Sequence, residues 1–344
     1  MARSTARKTP LAVPTPVSIA DVAERAGVSI ATVSRVVNGV AKKASAETVE
    51  RVREAIDALG YRPMGAGRSL RNKRSRLVAV LAANLANPSM TAIAAVAEVA
   101  LRRAGHVMVL CDTHDLPGLQ DEYLLEMRAQ YACGFVLLGA VRSPVLAGFV
   151  ESREPLVFVN RRNPFGDRCH VGIDNRLAGA DVARWLSAMQ HRDVAVIHGR
   201  LWSSATAERV EGFRAEWQRL GNRLPRARIA TRQGLDHLEI GYQTMRKFIA
   251  SPPVPQAVFC TSDLIAYGAQ RAANEAGLSP DSDVTFIGFD DSPLNAWIAP
   301  WLNAVRVPYA DYGEAIVQAL QPAHARTDIV LAHQLVVRPS DRAR

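Results

Sequence analysis

Small hydroxyl-bearing and basic side chains, the types that bond to phosphates and base edges, cluster in SIADVAERAGVSIATVSRVVN at residues 18–38. Ser18 precedes Asp21 by three residues, which resembles the capping box at the start of a helix, and Gly27 suits that helix's end. Ser29 can cap a second helix. Two short helices joined by a tight turn form a helix-turn-helix, whose second helix lies in the DNA major groove. A helical hairpin in an ordinary core is the alternative.

The positive charge of the chain is concentrated around this stretch. The formal net charge of the whole sequence is +9, and residues 1–76 carry 15 Lys/Arg against 6 Asp/Glu. The remaining 268 residues carry 27 of each and are neutral. A basic segment on a neutral body is the charge distribution expected for binding to the phosphate backbone of nucleic acid. A solvated basic face is the alternative, but its coincidence with the helix-turn-helix favours DNA binding.

The composition excludes several other classes of protein. The four cysteines are scattered, without the paired spacing of a zinc site, so we expect reduced thiols. No apolar run reaches the roughly 18 residues of a membrane span, and the N-terminal residues lack the apolar core of a secretion signal. The sequence therefore predicts a cytoplasmic protein with no metal, no cofactor and no membrane contact.

The helix-turn-helix needs a third helix to complete a small core. Ser45 is placed to cap a helix that ends near Leu59, with apolar residues along one face. These three helices predict a DNA-binding headpiece over residues 18–62. A disordered basic arm at 1–17 precedes it, and a basic hinge or linker at 63–76 follows it.

From Leu77 onward, apolar runs of strand length alternate with amphipathic helices. Continuous apolar strands with helical crossovers imply parallel sheets covered on both faces. Two series of such strands predict two doubly wound α/β subdomains over residues 77–340, with a crevice at the carboxyl ends of the strands. One lobe is placed at 77–160 with 294–322, and the other at 161–293 with 323–340. The predicted strands are 77–83, 106–112, 134–140, 155–160, 193–199, 228–232, 257–262 and 283–291.

The turns that follow the predicted strands give little support for an enzyme active site. They contain no GxGxxG or GxxxxGK[ST] phosphate-binding motif, and no nucleophile lies at a useful spacing from a base. His191, His198 and His237 fall at helix ends or in loops, where surface histidines are common. The sequence predicts that the chain is not an enzyme.

Several motifs occur in an order and spacing that is highly specific. They are IADVAERAGVSIATVSRVVNG, SAETVERVREAIDALGYRP, ERVEGF, AVFCTSD, AYGAQRAANEAGL and DVTFIGFDDSP. Over residues 18–340 the chain thereby resembles the lac-repressor family of bacterial transcription regulators. The resemblance implies a homodimer that binds a pseudo-palindromic operator in double-stranded DNA. It also implies a periplasmic-binding-protein-like core that senses a small molecule.

The resemblance assigns base reading to the start of the second helix. The first two reading positions fall on Ile30 and Ala31, which can contact thymine methyl groups but cannot form a hydrogen bond. Arg35, one turn further, is then the best candidate for a bidentate contact with guanine. The remaining predicted DNA contacts, chiefly to phosphates, are Ser29, Thr32, Ser34 and Asn38.

The resemblance also extends to the hinge. In the family the segment that matches residues 63–71 folds into a helix on the operator, and its leucine, here Leu70, wedges into the minor groove. Arg68 is a further predicted DNA contact. Met64 and Gly67 replace the family's usual Asn and Ala, which weakens a hinge helix and makes its folding depend more on DNA and on the dimer partner. An irregular hinge is the alternative.

In the core, the family's crevice positions fall on Met90, Asn160, Arg161, Arg209, Asp263 and Asp290. Charged donors and acceptors in a desolvated cleft suit the hydroxyls of a polyol, and a structural set of ion pairs between the lobes is the alternative. After an Asn-Pro pair, here Asn87 and Pro88, the family usually has an aromatic residue. This chain has Ser89 and Met90 at that place. Trp202 is therefore predicted to supply the stacking surface. A sugar or sugar acid is favoured over a purine-like ring.

The sequence as a whole predicts a repressor whose operator affinity is modulated by a small molecule between the lobes. No leucine heptads follow the core, so a dimer is expected rather than a tetramer. A sugar-binding component of a transport system is the first alternative, and the absent secretion signal and the basic headpiece disfavour it. A dinucleotide-dependent enzyme is the second, and the absent glycine motif disfavours it.

Overall fold

The structure is a computed structural model that describes residues 17–38, 44–61 and 75–338, apart from 153, 167–168, 235, 280–281 and 325–326. The chain divides into two compact units, Met1–Ser75 and Arg76–Arg344. Most of the predicted basic arm and of the predicted hinge, including Arg68 and Leu70, lies outside the described residues.

Within its described residues, the first unit contains the helices α1 (Ile19–Ala26), α2 (Ile30–Val37) and α3 (Ala46–Leu59). Their apolar faces meet in one cluster around Val22, Val33 and Val52, all fully buried. The predicted helical headpiece is confirmed.

Local hydrogen bonds set the ends of these helices. The Ser18 hydroxyl accepts a bond from the Asp21 amide, and the Asp21 carboxylate accepts from the Ser18 amide at 2.7 Å, which completes a capping box. Ser29 and Ser45 cap α2 and α3 in the same position. Gly27 ends α1 with a φ of 62°, in the left-handed region that suits glycine.

The described residues of the second unit form two six-stranded sheets. The first has the order β11–β5–β4–β3–β1–β2 and its pairs are parallel. The strands are β1 (Leu77–Ala82), β2 (Val107–Asp112), β3 (Gly134–Leu138), β4 (Leu156–Val159), β5 (His170–Ile173) and β11 (Ile329–Leu331).

The second sheet has the order β12–β10–β9–β8–β6–β7, with β12 antiparallel to β10 and the other pairs parallel. The strands are β6 (Val194–Ile197), β7 (Ile229–Ala230), β8 (Ala257–Cys260), β9 (Thr285–Asp290), β10 (Asn303–Arg306) and β12 (Gln334–Val336). Strands β6, β8 and most of β9 are buried along their length, as expected when helices cover both faces of a sheet.

Helices connect and cover these strands. They are α4 (Pro88–Arg103), α5 (Pro117–Ala129), α6 (Pro144–Glu151), α7 (Asn175–Ala188), α8 (Ser204–Arg219), α9 (His237–Ile249), α10 (Asp263–Glu275), α11 (Asn295–Ile298) and α12 (Tyr309–Ala319). Helix α12 packs on α4 in the lobe of the first sheet, and α7 packs on α8 in the lobe of the second. Two doubly wound lobes are thus confirmed.

The predicted boundaries between the lobes are wrong at three strands. Strand β5 was assigned to the second lobe but pairs with β4 in the first sheet. Strand β10 was assigned to the first lobe but pairs with β9 in the second. Strand β11 was assigned to the second lobe but pairs with β5 in the first. Short strands after a crossover carry no signal of which sheet they join, so their order along the chain is a poor guide.

The described chain passes between the lobes at Asp174, at 307–308 and at 332–333, between elements that belong to different sheets. Connections of this kind let two lobes change their relative angle without unfolding. No helix within the described ranges is long and apolar enough to cross a membrane.

Candidate DNA-binding helix and effector cleft

Helix α2 presents its predicted base-reading positions to solvent. Ile30 is 52% exposed, which is unusual for a large apolar side chain, and Ala31 and Arg35 are also exposed. Val33, on the opposite side of the helix, is fully buried against α1 and α3. The three-helix core therefore fixes which side of α2 faces outward.

The polar residues of α2 are partly occupied by local bonds. The Ser29 hydroxyl accepts from the Thr32 amide and lies 3.0 Å from the Thr32 hydroxyl, so both groups serve the helix start. The Asn38 amide group donates to the Ser34 carbonyl at 2.7 Å and closes the helix end. Ser29 and Asn38 remain exposed, whereas Thr32 and Ser34 are half-buried.

A small crevice lies where the two lobes face each other, and it comprises about 180 Å³ of space, part of it open to solvent. The first lobe supplies the start of α4, which follows β1. The second lobe supplies the start of α10 and the end of β9. The lining residues are Asn87, Pro88, Ser89, Asp263, Leu264, Tyr267, Asp290 and Ser292.

Asp263, the first residue of α10, is the most constrained carboxylate in this crevice. Its Oδ2 accepts bonds from the Ser292 amide at 2.8 Å and the Asn295 side chain at 3.0 Å. Its Oδ1 is buried and has no hydrogen-bond partner among the described residues. Burial, followed by the nearby Asp290 carboxylate, raises the pKa of Asp263 well above its ordinary value.

Arg209 of α8 is the buried cation beside these carboxylates. Its Nε donates to the Asn175 Oδ1 at 2.9 Å, and its Nη1 donates to the Thr261 carbonyl at 2.8 Å. The guanidinium lies 3.5 Å from the centre of the Phe289 ring. Its Nη1 is 3.8 Å from Asp290 Oδ1. Its partners therefore lie on α7, directly after β8 and at the end of β9. They leave this cation little freedom to move.

Asp290 lies at the end of β9, where the two lobes face each other. Burial raises the pKa of Asp290 to about 6, while Arg209 and the nearby Ser89 hydroxyl act in the opposite direction. Ser89 belongs to the first lobe and Asp290 to the second, and both line the crevice. The two aspartates share the charge of one arginine, so the crevice is rich in hydrogen-bond acceptors.

A second group of charges lies at the cleft, on the loops after β2, β4 and β6. Arg161 donates two bonds to Asp115, at 2.5 and 3.1 Å, in bidentate geometry. Its guanidinium lies 4.9 Å from the centre of the Trp202 ring, and Arg200 lies 5.8 Å from the same ring. Trp202, still 53% exposed, thus forms a cation–π contact across the lobes.

Met90 and Asn160 do not line the crevice. Met90 is 5% exposed and belongs to a large hydrophobic cluster, with its Cε close to Gly139 and the Arg161 guanidinium. Asn160 ends β4 with a φ of 66°, and its carbonyl lies 3.4 Å from His170 Nε2. The crevice is lined instead by Ser89, the neighbour of Met90.

The prediction that His198 and His237 are surface histidines is wrong. His198 is 4% exposed and its Nδ1 lies 2.7 Å from the Gly199 carbonyl. His237, at the start of α9, is half-buried, with Nδ1 at 3.0 Å from the Ser262 hydroxyl. Burial, followed by Arg161 and Arg209, lowers the pKa of His237 to about 4. Sequence reasoning missed that α9 begins at the cleft, although the run AVFCTSD already marked the strand end that it faces.

Sequence reasoning also missed the polar residues that hold the charged ones. Asn175 and Asn295 are buried and bond to Arg209 and Asp263 respectively. The DN pair at 174–175 was a usable signal, because an aspartate cap at the end of a strand places the next side chain near the cleft. Asn295 follows an irregular turn and carries no such signal.

An exposed helix-turn-helix on one unit and a charged cleft between two α/β lobes on the other define a class of protein. It is the class of transcription regulators with a periplasmic-binding-protein-like effector domain. Residues 18–64 match the model of bacterial regulatory proteins of the lacI family, and residues 183–343 match that of a periplasmic binding protein-like domain.

Full-length relatives agree with these matches. The transcriptional repressor PurR of Pectobacterium atrosepticum is 31% identical over 333 residues, which is 94% of each chain. A regulator from the aml 5′ region of Streptomyces limosus is 34% identical over 338 residues, covering 94% of this chain and 93% of the relative. The chain belongs to the lacI family of bacterial regulatory proteins. It is a DNA-binding transcriptional repressor with an effector-binding core, and not an enzyme.

Solved structures share the same fold. The lac repressor dimer bound to operator and the anti-inducer ONPF has a TM-score of 0.77 at 24% identity, covering 94% of this chain and 98% of that one. The complex of the regulator CelR with cellobiose has a TM-score of 0.69 at 27% identity, covering 94% and 99%. The likeness to the lac repressor shows the fold alone.

Proposed function

We propose that this chain is a homodimeric repressor that binds a pseudo-palindromic operator and is regulated by a sugar or sugar acid between its core lobes. The observation that carries the proposal is the crevice lined by Asp263 and Asp290, with Arg209 buried beside Asp290. A buried carboxylate oxygen without a donor, as in Asp263, is costly unless a ligand supplies one. Hydroxyl groups of a polyol are suitable donors.

Regulation follows from the position of this crevice. Its walls belong to both lobes, so a bound ligand favours one angle between them. In the proposed mechanism the change of angle shifts the spacing of the two hinges in the dimer and thereby the fit to the operator. Coupling of this kind is typically worth about 1–3 kcal/mol, or roughly 5- to 150-fold in affinity. CelR, solved with cellobiose, supports the carbohydrate class.

An edge strand supports the dimer. Strand β2 reads VMVLCD, an apolar run typical of a buried strand, but Val107 is 49% exposed and Leu110 is 39% exposed. A second copy of the chain is the proposed cover, since the related lac repressor was solved as a dimer. We expect Val107→Asp with Leu110→Asp to give a monomer by sedimentation. The control is Val330→Asp, at a residue 60% exposed on β11 at the opposite edge of the sheet. A dimer that survives the double substitution contradicts this interface.

Operator recognition is assigned to the outward face of α2 and to Leu70. Arg35→Ala is expected to weaken specific binding by about 1–3 kcal/mol, with a smaller loss on nonspecific DNA. Arg25→Ala, which removes an exposed arginine from the last turn of α1, is the control. Leu70→Ala is expected to weaken operator binding well beyond nonspecific binding. An equal loss on both kinds of DNA counts against a wedge at Leu70.

The experiment that tests the function uses an operator selected from random DNA with the full chain. Its affinity is titrated by fluorescence anisotropy, with and without each sugar that raises the melting temperature of the core. We expect one such ligand to change operator affinity at least fivefold, and Asp263→Ala to abolish that response. Selection that enriches no sequence, or operator affinity that no stabilising ligand alters, contradicts the proposal.

A further inference from the structure

A second group of charged side chains, Asp115, Arg161 and Arg200, lies on the loops that follow β2, β4 and β6. His237 of α9 lies near this group: the electrostatic neighbours that lower its pKa include Arg161, Arg200 and Arg209, while Asp115 acts oppositely. A Cβ on Gly199 would lie 2.8 Å from His237 Nε2, so the absence of a side chain there makes room for the imidazole. Both lobes therefore contribute charges around this ring.

A hydrogen bond joins His237 to Ser262. The Ser262 hydroxyl caps α10 and accepts a bond from the Ile265 amide. The same hydroxyl lies 3.0 Å from His237 Nδ1. When the hydroxyl donates to Nδ1, Nε2 carries the ring proton. Nε2 makes no hydrogen bond within the described part of the chain, so in this tautomer it can donate to a ligand.

The charges near this donor do not balance. Both carboxylate oxygens of Asp115 accept hydrogen bonds from Arg161. Arg200 approaches the same carboxylate only at 4.0 Å, and its side chain is 51% exposed. Among the residues that the structure describes, two arginines therefore face one aspartate, which leaves one positive charge beside the neutral His237.

The opposite end of the cleft is rich in carboxylate acceptors. There, among the described residues, Asp263 and Asp290 lie beside Arg209, while the neighbouring Asp291 is paired with Arg306 and Arg338. That end accepts hydrogen bonds and disfavours a further negative charge, while within the described part of the chain the end at Arg200 has one more cation than anion. A ligand that spans both ends needs hydroxyl donors on one side and an anion on the other.

We propose that the effector is a polyhydroxy carboxylate, an aldonate or uronate, with its carboxylate at Arg200 and His237 and its hydroxyls at Asp263 and Asp290. The single excess charge matches a monoanion better than the two charges of a phosphate ester. This inference rests on the proposed function, because it selects one class among the ligands of the same cleft.

The test compares matched pairs of compounds on the full chain. The probes are D-gluconate with D-glucitol, D-galactonate with D-galactitol, D-glucuronate with D-glucose, and D-galacturonate with D-galactose. D-Glucose 6-phosphate serves as a dianion. Binding is measured by calorimetry and by the melting temperature of the core. We expect at least one carboxylate to bind at least tenfold more tightly than its neutral partner, with an affinity that falls as salt concentration rises.

Variants locate the anion. Arg200→Gln is expected to weaken carboxylate binding roughly 10- to 150-fold, the effect of a charge-assisted hydrogen bond, and Arg200→Lys to retain most of it. His237→Leu is expected to weaken it, and His237→Gln, which keeps a donor, to weaken it less. Lys247→Gln removes an exposed cation from the same helix as His237 and is expected to change nothing.

The outcomes separate this inference from the function on which it rests. A neutral sugar that binds as tightly as its acid, or an unchanged carboxylate affinity in Arg200→Gln, overturns the inference and leaves the function standing. Binding of the phosphate ester alone overturns the assignment to a monoanion. No binding by any probe contradicts both the inference and the proposed carbohydrate class.

Discussion

The two units of this repressor are stabilised in different ways. In the headpiece, contacts within a few residues define each helix: Ser18, Ser29 and Ser45 cap the starts, and a small cluster around Val33 joins them. In the core, Arg209 draws its partners from three separate elements. The headpiece is thus stabilised by contacts between residues that are close in sequence, and the cleft by contacts between residues that are distant in sequence.

Carboxylates show the same contrast. In the headpiece, hydrogen bonds from Ser18 lower the pKa of the exposed Asp21, because the capping box stabilises the charged form. In the core, burial raises the pKa of Asp263 and of Asp290. The same residue type therefore serves helix formation in one unit and, in the proposed function, ligand recognition in the other. The substitutions below are chosen to affect one unit only.

The largest effect is expected from Arg209→Leu. Removing this cation leaves Asp290 without its partner, which costs about 3–5 kcal/mol for a buried pair. All five tryptophans lie in the second unit, so urea unfolding followed by tryptophan fluorescence reports the core. Arg214→Leu, on the same helix with a half-exposed partner, is the control and should cost less than 1 kcal/mol. Equal losses in the two variants contradict a structural role for Arg209.

Val33→Ala tests the headpiece. Val33 is fully buried in a small cluster, so its truncation is expected to cost about 2 kcal/mol and to unfold much of a marginal unit. Operator binding should be lost while the tryptophan-reported midpoint stays constant. Glu24→Ala, at an exposed position of α1, should change neither quantity. If the urea midpoint of the core falls together with operator affinity, the two units do not unfold independently.

The pH dependence of Asp290→Asn sharpens the contrast between carboxylates. The folded pKa of Asp290, about 6, lies above its unfolded value of 3.8, so its contribution to stability is present at low pH and is lost as pH rises through 6. Relative to Asp290→Asn, the parent core should gain about 1 kcal/mol from pH 6 to pH 5.

Buried histidines act in the opposite direction, and the comparison cancels them. The lowered pKa values of His170, His198 and His237 destabilise the folded core as pH falls below 6.5. Both proteins share these histidines, so the difference between them reports Asp290 together with its effect on the neighbouring Asp263. A difference in urea midpoint that does not change between pH 7 and pH 5 contradicts the raised pKa of Asp290.

The smallest effect is expected from Ser45→Ala. This substitution removes the cap of α3, away from the base-reading face of α2, and should cost the headpiece about 1 kcal/mol. Operator affinity should fall slightly, with its sequence preference retained. Ser45→Asp restores a capping oxygen and is expected to recover the loss. A core midpoint changed by either variant would show that the units are coupled.

The sequence predicts the local structure of both units better than the long-range pairing of strands in the core. Caps and glycines are readable because the groups that bond lie three or four residues apart, so α1, α2 and α3 were predicted close to their true ends. The apolar strands of the core were equally clear. The lobe boundaries failed at β5, β10 and β11, because pairing between distant strands leaves no local signal.

The cleft was predicted only in part for the same reason. Asp263 and Asp290 follow buried strands, and the structure places both on the crevice. Met90 instead packs in the core, since the turn of α4 that presents Ser89 to the crevice directs the next side chain inward. His237 was interpreted as a surface residue because only the packing of α9 against the ends of β6 and β8 shows that it reaches the cleft.

The most direct test of the account is the operator affinity of the full chain, measured with and without a ligand that stabilises the core. We predict a change of roughly 5- to 150-fold that disappears in Asp263→Ala, while that variant still binds operator without ligand. A ligand that raises the melting temperature of the core and leaves operator affinity unchanged would contradict the coupling of cleft and headpiece.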